Sequence, residues 1–189
     1  GKLSADDIMH TYAAMAGQIE RLKNYTLSMN TLQRLEDVPI VRRQVEVNDL
    51  TVKLNDTAEM ICGSKKLSVL NKITAAQINV DPEIVMQVFE NLLSNANRYA
   101  KTAISIQYAV DNDTFSIIVA DDGKGFDDTA LKYATDPFYT TEKKLAAEQH
   151  LGLGLNICKI LCERHNGSIT LSHGVKAGAT ITAQFGMAE

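Results

Sequence analysis

The sequence predicts an α+β protein: one globular domain of mixed strands and helices, headed by a long N-terminal helix. Three observations carry that prediction. A heptad-like apolar stripe runs unbroken from about Ser4 to Asp37. Beyond Pro39, helical periods are interleaved with short β-branched runs. Four of those runs come as two pairs, each joined by turn-forming residues, which is the pattern of hairpins.

Each element follows from local chemistry. Ser4 ahead of Ala5-Asp6-Asp7 offers an N-cap and an acidic first turn. Ile8, Met15, Leu22 and Met29 recur every seven residues, Tyr12, Ile19 and Thr26 follow at an offset of four, and Leu32 and Leu35 extend the apolar side. One helix cannot bury such a stripe alone. It either folds back on its own domain or pairs with another chain, and the lack of a second heptad helix in the sequence favours an inter-chain bundle. Val38-Pro39 ends the helix. Val41 to Val47 alternates loosely and reads as a strand. Asn48 or Asp49 then caps a helix reaching about Cys62, stopped by Gly63. Lys66 to Ile73 and Ile78 to Val80 read as extended pieces.

Asp81-Pro82-Glu83 opens a helix to about Tyr99 or Ala100, with a cap, a proline in the first turn and an acid. Val85, Val88, Phe89, Leu92, Leu93 and Ala96 fall on one arc of roughly 140°. Asn91, Asn95 and Arg98 border that arc. Amides at a core edge need partners and asparagine is a poor helix former, so this edge is either solvated or functional. Strands at Ala103–Val110 and Phe115–Ala120 join at Asp111-Asn112-Asp113. The second strand feeds Asp121-Asp122-Gly123-Lys124-Gly125-Phe126. Taken alone, that stretch is equally an acidic turn or a place where a ligand approaches the backbone. Asp127 to His150 is poorly periodic and reads as a long functional loop, with Asp136-Pro137-Phe138-Tyr139-Thr140-Thr141 inside it. Leu151-Gly152-Leu153-Gly154-Leu155 opens a helix from Asn156 to His165, and Gly167 is its expected stop. Glycines before a helix start can turn backbone N–H groups toward an anion. Strands Ser168–Ser172 and Ala179–Phe185, around Gly174 and Gly178, close the chain as a hairpin.

Composition narrows the function. The 189 residues are 45% apolar and 22% charged, with a net charge of -4, which suits one domain plus an appendage. Lysine and arginine are scattered, so nucleic acid and anionic membrane surfaces are not expected partners. No apolar run approaches the roughly 18 residues of a membrane helix and no signal-peptide pattern is present, so the chain reads as soluble. Cys158 and Cys162 share a helix face and Cys62 is distant; all three read as reduced thiols of a cytoplasmic protein. His10, His150, His165 and His173 show no ligand spacing, so no transition-metal site is expected.

Each motif is weak alone, but four occur in one order. Asn91-Leu92-Leu93-Ser94-Asn95-Ala96-Asn97-Arg98-Tyr99 resembles the asparagine box of the sensor histidine kinases of two-component systems. Asp121 through Phe126 resembles their first glycine box, Asp136-Pro137-Phe138-Tyr139 their phenylalanine box, and Leu151 through Leu155 their second glycine box. The resemblance covers roughly Val38 to Phe185. Ile19 to Glu36 is also similar to the second helix of the family's dimerisation hairpin.

The resemblance implies a two-layer α/β sandwich, the Bergerat fold of the GHKL ATPase superfamily, with a mixed sheet packed on helices. Residues 1–37 would be a dimerisation-type helical segment and residues 38–189 the ATP-binding catalytic domain. Asp121 would accept from the adenine amino group. Gly123 and Gly125 would let the nucleotide lie against the backbone. Asn95 would hold Mg²⁺ and Asn91 would support it. Arg98 and Tyr99 would contact phosphates. Gly152, Leu153, Gly154 and Leu155 would wrap the β- and γ-phosphates. Phe138 belongs to the ATP contacts through its box, and Asp127 to His150 would be the ATP lid. Thr180, after Gly178-Ala179, would reach the adenine region through water. The implied activity is transfer of the ATP γ-phosphoryl group to a histidine, a transferase step in signal transduction, by positioning and charge neutralisation. The implied partners are a response regulator and a second copy paired through the N-terminal helix. Membrane contact would come only through upstream segments, with this domain on the cytoplasmic side of the cell membrane.

Departures from the family pattern add expectations. No acceptor histidine box is present: His10 is followed by Thr11-Tyr12-Ala13. Truncation explains this most simply, and the chain alone is then not expected to phosphorylate itself. His150 stands where the second glycine box usually starts with glycine, which would stiffen the lid hinge. Lys124 is unusual between the two glycines. Asp122 sits where the family usually has asparagine and should serve the turn, leaving Asp121 as the ligand-facing carboxylate. Hydrolytic relatives with this fold place a glutamate four residues before the magnesium asparagine; here that residue is Asn91, and Glu90 points about 100° away. The alternatives are such an ATP hydrolase, or a nucleotide-binding or dimerisation module without turnover.

Overall fold

The computed structural model describes residues 9–19, 26, 35, 39–140, 152–174 and 178–188. Residues 9–19 form α1, and Thr26 and Leu35 are also helical. Met9, Tyr12, Met15 and Ile19 of α1 are exposed. The stripe positions Ile8, Leu22, Met29 and Leu32 lie outside the described residues. Leu35 behaves differently: it is 5% exposed and packs into the core of the domain that follows. The guanidinium of Arg164 donates to its carbonyl oxygen. The burial of Leu35 bears out packing back onto the domain at that position.

The domain proper runs β1 (Arg43–Glu46), α2 (Val47–Cys62), β2 (Lys66–Asn71), β3 (Gln77–Val80), α3 (Pro82–Tyr99), β4 (Ala103–Asp111), β5 (Thr114–Asp121), α4 (Asp128–Tyr133), α5 (Gly154–Arg164), β6 (Ser168–His173) and β7 (Ala179–Gly186). Five strands form one sheet in the order β2-β4-β5-β7-β6, and β1 and β3 make a small antiparallel pair. β2 runs parallel to β4 and the other pairings are antiparallel, so the sheet is mixed. α2, α3 and α5 cover one face of it, giving two layers.

Strand alternation decides what faces the helices. Phe115, Ile117 and Val119 of β5 stand opposite Phe185, Ala183 and Ile181 of β7, and all six are buried. The rings of Phe115 and Phe185 stack at 5.9 Å between centroids. Asn112 and Asp113 take positive φ at 43° and 57°, the conformation that a tight β4–β5 hairpin demands of both central residues. α3 answers the sheet with Ile84, Val85, Val88, Phe89, Leu92, Leu93 and Ala96, all buried. Each large side chain there contributes about 1.5–3 kcal/mol by leaving water. Asp81 starts the helix. One carboxylate oxygen accepts from the Glu83 and Ile84 amides at 3.1 Å, and the other accepts from Val41 N at 2.7 Å.

Some expectations need correction. α2 starts at Val47 with Glu46 as N-cap and no side-chain cap bond, so Asn48 and Asp49 sit in its first turn and do not cap it. The long loop after Asp127 contains α4, which Asp127 caps by accepting from Ala130 N at 2.7 Å; its part beyond Thr140, up to Leu151, lies outside the described residues. α5 begins at Gly154, ahead of the expected Asn156. The left-handed residue that ends it is Asn166, at φ 56°, not Gly167. Gly167 is required for a different reason: a methyl group there would lie 1.8 Å from the Gln184 carbonyl oxygen. The three cysteines are buried and free. No helix among the described residues is long and apolar enough to cross a membrane.

Candidate functional site

A cavity of about 550 Å³ opens between α3, the end of β5, α4, the start of α5 and β7. Its walls include Asn91, Asn95, Arg98 and Tyr99 of α3, Asp121 and Gly125 after β5, and Gly152, Leu153, Gly154 and Leu155 at α5. Segments far apart in the chain, each singled out in the sequence, therefore meet around one space.

The two adjacent carboxylates divide the work. Asp121 lies at the end of β5 on the helix-covered side, half-buried. Its Oδ1 accepts from Gly123 N at 2.7 Å and from Ala179 N at 3.4 Å, which leaves Oδ2 to a ligand. Burial pushes its pKa up, the two backbone bonds pull against that, and Asp122 adds a smaller push upward. Asp122 faces away from the cavity. Its carboxylate accepts from the Lys101 and Thr102 amides at 2.8 and 3.0 Å and from the Thr102 hydroxyl at 2.6 Å. Those bonds, the Thr102 hydroxyl foremost, hold its pKa well below the usual carboxylate range. It fastens the turn to the α3–β4 connection.

At the other end, Asn91 donates through Nδ2 to the Gln87 carbonyl at 2.9 Å, one helical turn back. Gly154 closes on this edge of α3. A methyl group at Gly154 would stand 3.3 Å from Asn91 Oδ1 and 3.7 Å from Asn95 Nδ2. The missing side chain thus lets the N-terminus of α5, with its outward N–H groups and positive dipole end, come up to both amides. The Arg98 guanidinium lies 5.6 Å from the centre of the Tyr99 ring, within cation–π range. Gly123 packs under the same turn: a methyl group there would be 2.2 Å from the Tyr99 carbonyl oxygen, so only glycine fits.

Gly123, Phe138 and Thr180 do not line the cavity. Gly123 acts from behind, as just described. Phe138 holds the left-handed backbone at φ 65°, and Tyr139 and Thr140 form the wall beside it. The Tyr139 backbone also abuts Gly152, whose φ is 68° and whose added methyl would lie 2.3 Å from the Tyr139 carbonyl oxygen. Thr180 is a correction of one residue. Ala179 and Ile181 line the cavity, and Thr180 pairs with Ala120 on the opposite face of the sheet. The residue beside Asp121 is Ala179, so Thr180 is withdrawn from the set.

Lys124 and Phe126 of the first glycine box, and Asp127, Ala130, Ala134 and Tyr139 of the expected lid, also line the cavity, though the sequence argument did not single them out as contacts. Ala130 and Ala134 are spaced one helical turn apart behind a capping aspartate, a signal present in the sequence but only one turn long.

Comparison with known proteins gives these motifs a family. A family model described as histidine kinase-, DNA gyrase B-, and HSP90-like ATPase matches residues 80–189. The sensor histidine kinase SpaK of Bacillus subtilis is 26% identical over 170 residues, covering 87% of this chain and 37% of that protein. The chain thus spans well under half the length of that relative. Among solved structures, full-length ShkA in complex with AMPPNP aligns with TM-score 0.70 at 21% identity, over 100% of this chain and 41% of that one. The Acinetobacter baumannii histidine kinase AdeS aligns with TM-score 0.67 at 19% identity, over 100% and 88%. At such identities the structures speak to fold, and they bear out the mixed sheet packed on helices that the motifs imply. The family match spans more than half of the chain and contains all four motifs, and on that ground the chain belongs to the histidine kinase-, DNA gyrase B- and HSP90-like ATPases.

Proposed function

We propose that this chain is the ATP-binding kinase domain of a sensor histidine kinase, which transfers the γ-phosphoryl group of ATP to a histidine held outside residues 38–189. The observation that carries this over hydrolysis is the residue four before Asn95. It is Asn91, an amide without basicity, and its Nδ2 is already bonded to Gln87. Glu90 opens onto a neighbouring groove with Thr57, Met60 and Ile61, which meets the cavity at Asn91 and Ser94, and Glu90 itself does not line the cavity. No carboxylate is therefore placed beside Asn95 on α3 to activate water, which suits transfer to a protein acceptor.

The residues present fit Mg²⁺-ATP. Asn95 offers a hard amide oxygen at the edge of α3, and Gly154 brings the start of α5 up to the Nδ2 side of the same amide. Mg²⁺, when bound there, would neutralise phosphate charge. Asp121 would accept from the adenine amino group through its spare oxygen. Gly125 and the tightly packed Gly123 would shape the adenine end. Arg98, Tyr99 and residues Gly152 to Leu155 would hold the phosphates, and Phe138 would set the base of the lid. Asn91 would orient this shell and take no proton. The phosphoryl group would pass on to a response regulator. The full protein would work as a homodimer paired through the N-terminal helix, with this domain on the cytoplasmic side of a membrane. The relatives' description as sensor histidine kinases supports the kinase reading and, with it, a response regulator as partner.

Calorimetry with Mg²⁺-ATP and Mg²⁺-ADP is expected to show binding in the micromolar to high micromolar range. Labelled ATP should leave the chain alone unlabelled, and should put acid-labile phosphate on a dimerisation hairpin that carries an acceptor histidine. Release of inorganic phosphate with no labelled hairpin would move the reading to hydrolysis. Acid-labile label on the chain alone would point back to His10.

A further inference from the structure

Asn156 sits in the first turn of α5, two residues beyond Gly154. Its Nδ2 donates to the Thr135 carbonyl oxygen at 2.9 Å in a half-buried setting. Thr135 follows Ala134, the C-cap of α4, and Ala130 and Ala134 of that segment are buried in the cavity wall. The bond therefore spans two walls: the helix start that faces Asn91 and Asn95, and the short helix opposite. α4 has six residues, too few to hold a helix by its own backbone bonds. Its position depends on what ties it down, and Asp127 ties only its first turn.

We propose that Asn156 is a positioning residue that clamps α4 to the phosphate end of α5 and so slows nucleotide release. The proposal rests on the nucleotide reading of the cavity for its second half only. The carbonyl of Thr135 accepts and the amide of Asn156 donates, so the side chain must be a donor of this length. Alanine removes the donor. Aspartate keeps the shape and turns an acceptor toward an acceptor. A side chain that merely filled space would tolerate aspartate.

Two measurements on the intact chain separate the claims. In the nucleotide-free protein, hydrogen exchange of the Leu131 amide in α4 and of the Ala134 amide at its C-cap is expected to quicken about three- to tenfold in both Asn156→Ala and Asn156→Asp. Protection in α3 should stay at the wild-type level. Stopped-flow release of a fluorescent ATP analogue, chased with excess ADP in Mg²⁺ buffer, should quicken by a similar factor in Asn156→Ala, with the melting temperature of the nucleotide-free chain little changed. Unaltered α4 exchange in both variants would overturn the clamp. Faster exchange with an unaltered release rate would overturn its role in holding nucleotide. Failure of the wild-type chain to bind the analogue would instead sink the nucleotide reading, and the exchange result would still decide the clamp.

Discussion

Asp121 is a residue kept against the interest of stability. Burial raises its pKa above that of the unfolded chain, so the folded state disfavours the ionised form. The sign follows: a raised carboxylate pKa favours folding when protonated, and that advantage is lost as pH rises through the folded value. Asparagine would keep the Oδ1 acceptor that Gly123 and Ala179 use, without the charge. We therefore expect Asp121→Asn to melt a few degrees higher at pH 7, and to lose that lead below about pH 4, where the wild-type carboxyl is protonated in both states. The same variant should weaken adenine nucleotide binding at least about tenfold, because its new donor would meet the adenine donor. Thermal melts at the two pH values plus calorimetry check this; a variant that melts lower and still binds would overturn the assignment. The placement of Asp121 in the cavity wall and of Asp122 in the turn was legible from the resemblance of this stretch to a glycine box, and strand alternation gives its physical reason, since neighbours point to opposite faces. The same alternation made Thr180 fail. A count shifted by one residue puts the side chain on the wrong side of β7, and nothing local distinguishes Ala179 from Thr180.

α3 was legible nearly to the residue because its signals are local: a capping aspartate, a proline in the first turn and an apolar arc over eighteen residues. α4 was not, since six residues do not complete two turns. The swap between Asn166 and Gly167 had a non-local cause, the approach of β7 to Gly167. One tie between elements was also out of reach. His165 is fully buried at the end of α5 and accepts from Asp81 N at 2.9 Å through Nε2, joining that end to the start of α3. Its ring meets Phe185 edge-on at 5.5 Å. Burial lowers its pKa first, and the Arg42 charge lowers it further, against an opposing pull from Asp81 and two backbone bonds. Protonation would turn Nε2 from acceptor to donor against the Asp81 N–H. A depressed folded pKa gives stability that is full above the unfolded value, near 6.5, and lost as pH falls through the folded one. Urea titrations from pH 8 to pH 5 should show the midpoint dropping below about pH 6.5. In His165→Gln, which accepts without titrating, that part of the slope should flatten while stability at pH 8 falls by about 1–3 kcal/mol. An unchanged slope in the variant would assign the acid sensitivity to other groups.

At the scale of the whole molecule, Leu35 and the 9–19 segment stand in different surroundings: the first is buried in the domain, the second exposes its apolar side chains. The domain boundary expected at Val38 is where the helix signal stops, but packing reaches across it, since Leu35 sits in the core and its carbonyl is held by Arg164. The stripe includes Leu35 and leaves folding back open, but burial at a single position carries no sequence period, so the choice of Leu35 as anchor was not legible. The 9–19 segment, in contrast, keeps Met9, Tyr12, Met15 and Ile19 exposed at spacings of three and four, a continuous apolar strip along one face. An apolar strip on a helix calls for a partner helix. None of these four residues lines the nucleotide cavity. The two regions should therefore separate by mutation. Tyr12→Glu with Met15→Glu is expected to raise the dimer dissociation constant at least about tenfold in sedimentation equilibrium, because it sets charges into the seam. Nucleotide affinity and the melting temperature of the domain should not follow. Leu35→Ala should do the reverse, removing about 2–4 kcal/mol of stability by opening a cavity while leaving the dimer constant near that of the wild type. If the two charges change nothing in the association constant, the strip is not the pairing face. If Leu35→Ala is silent in stability, the helix is not anchored where it enters the domain, and the two regions do not divide the work.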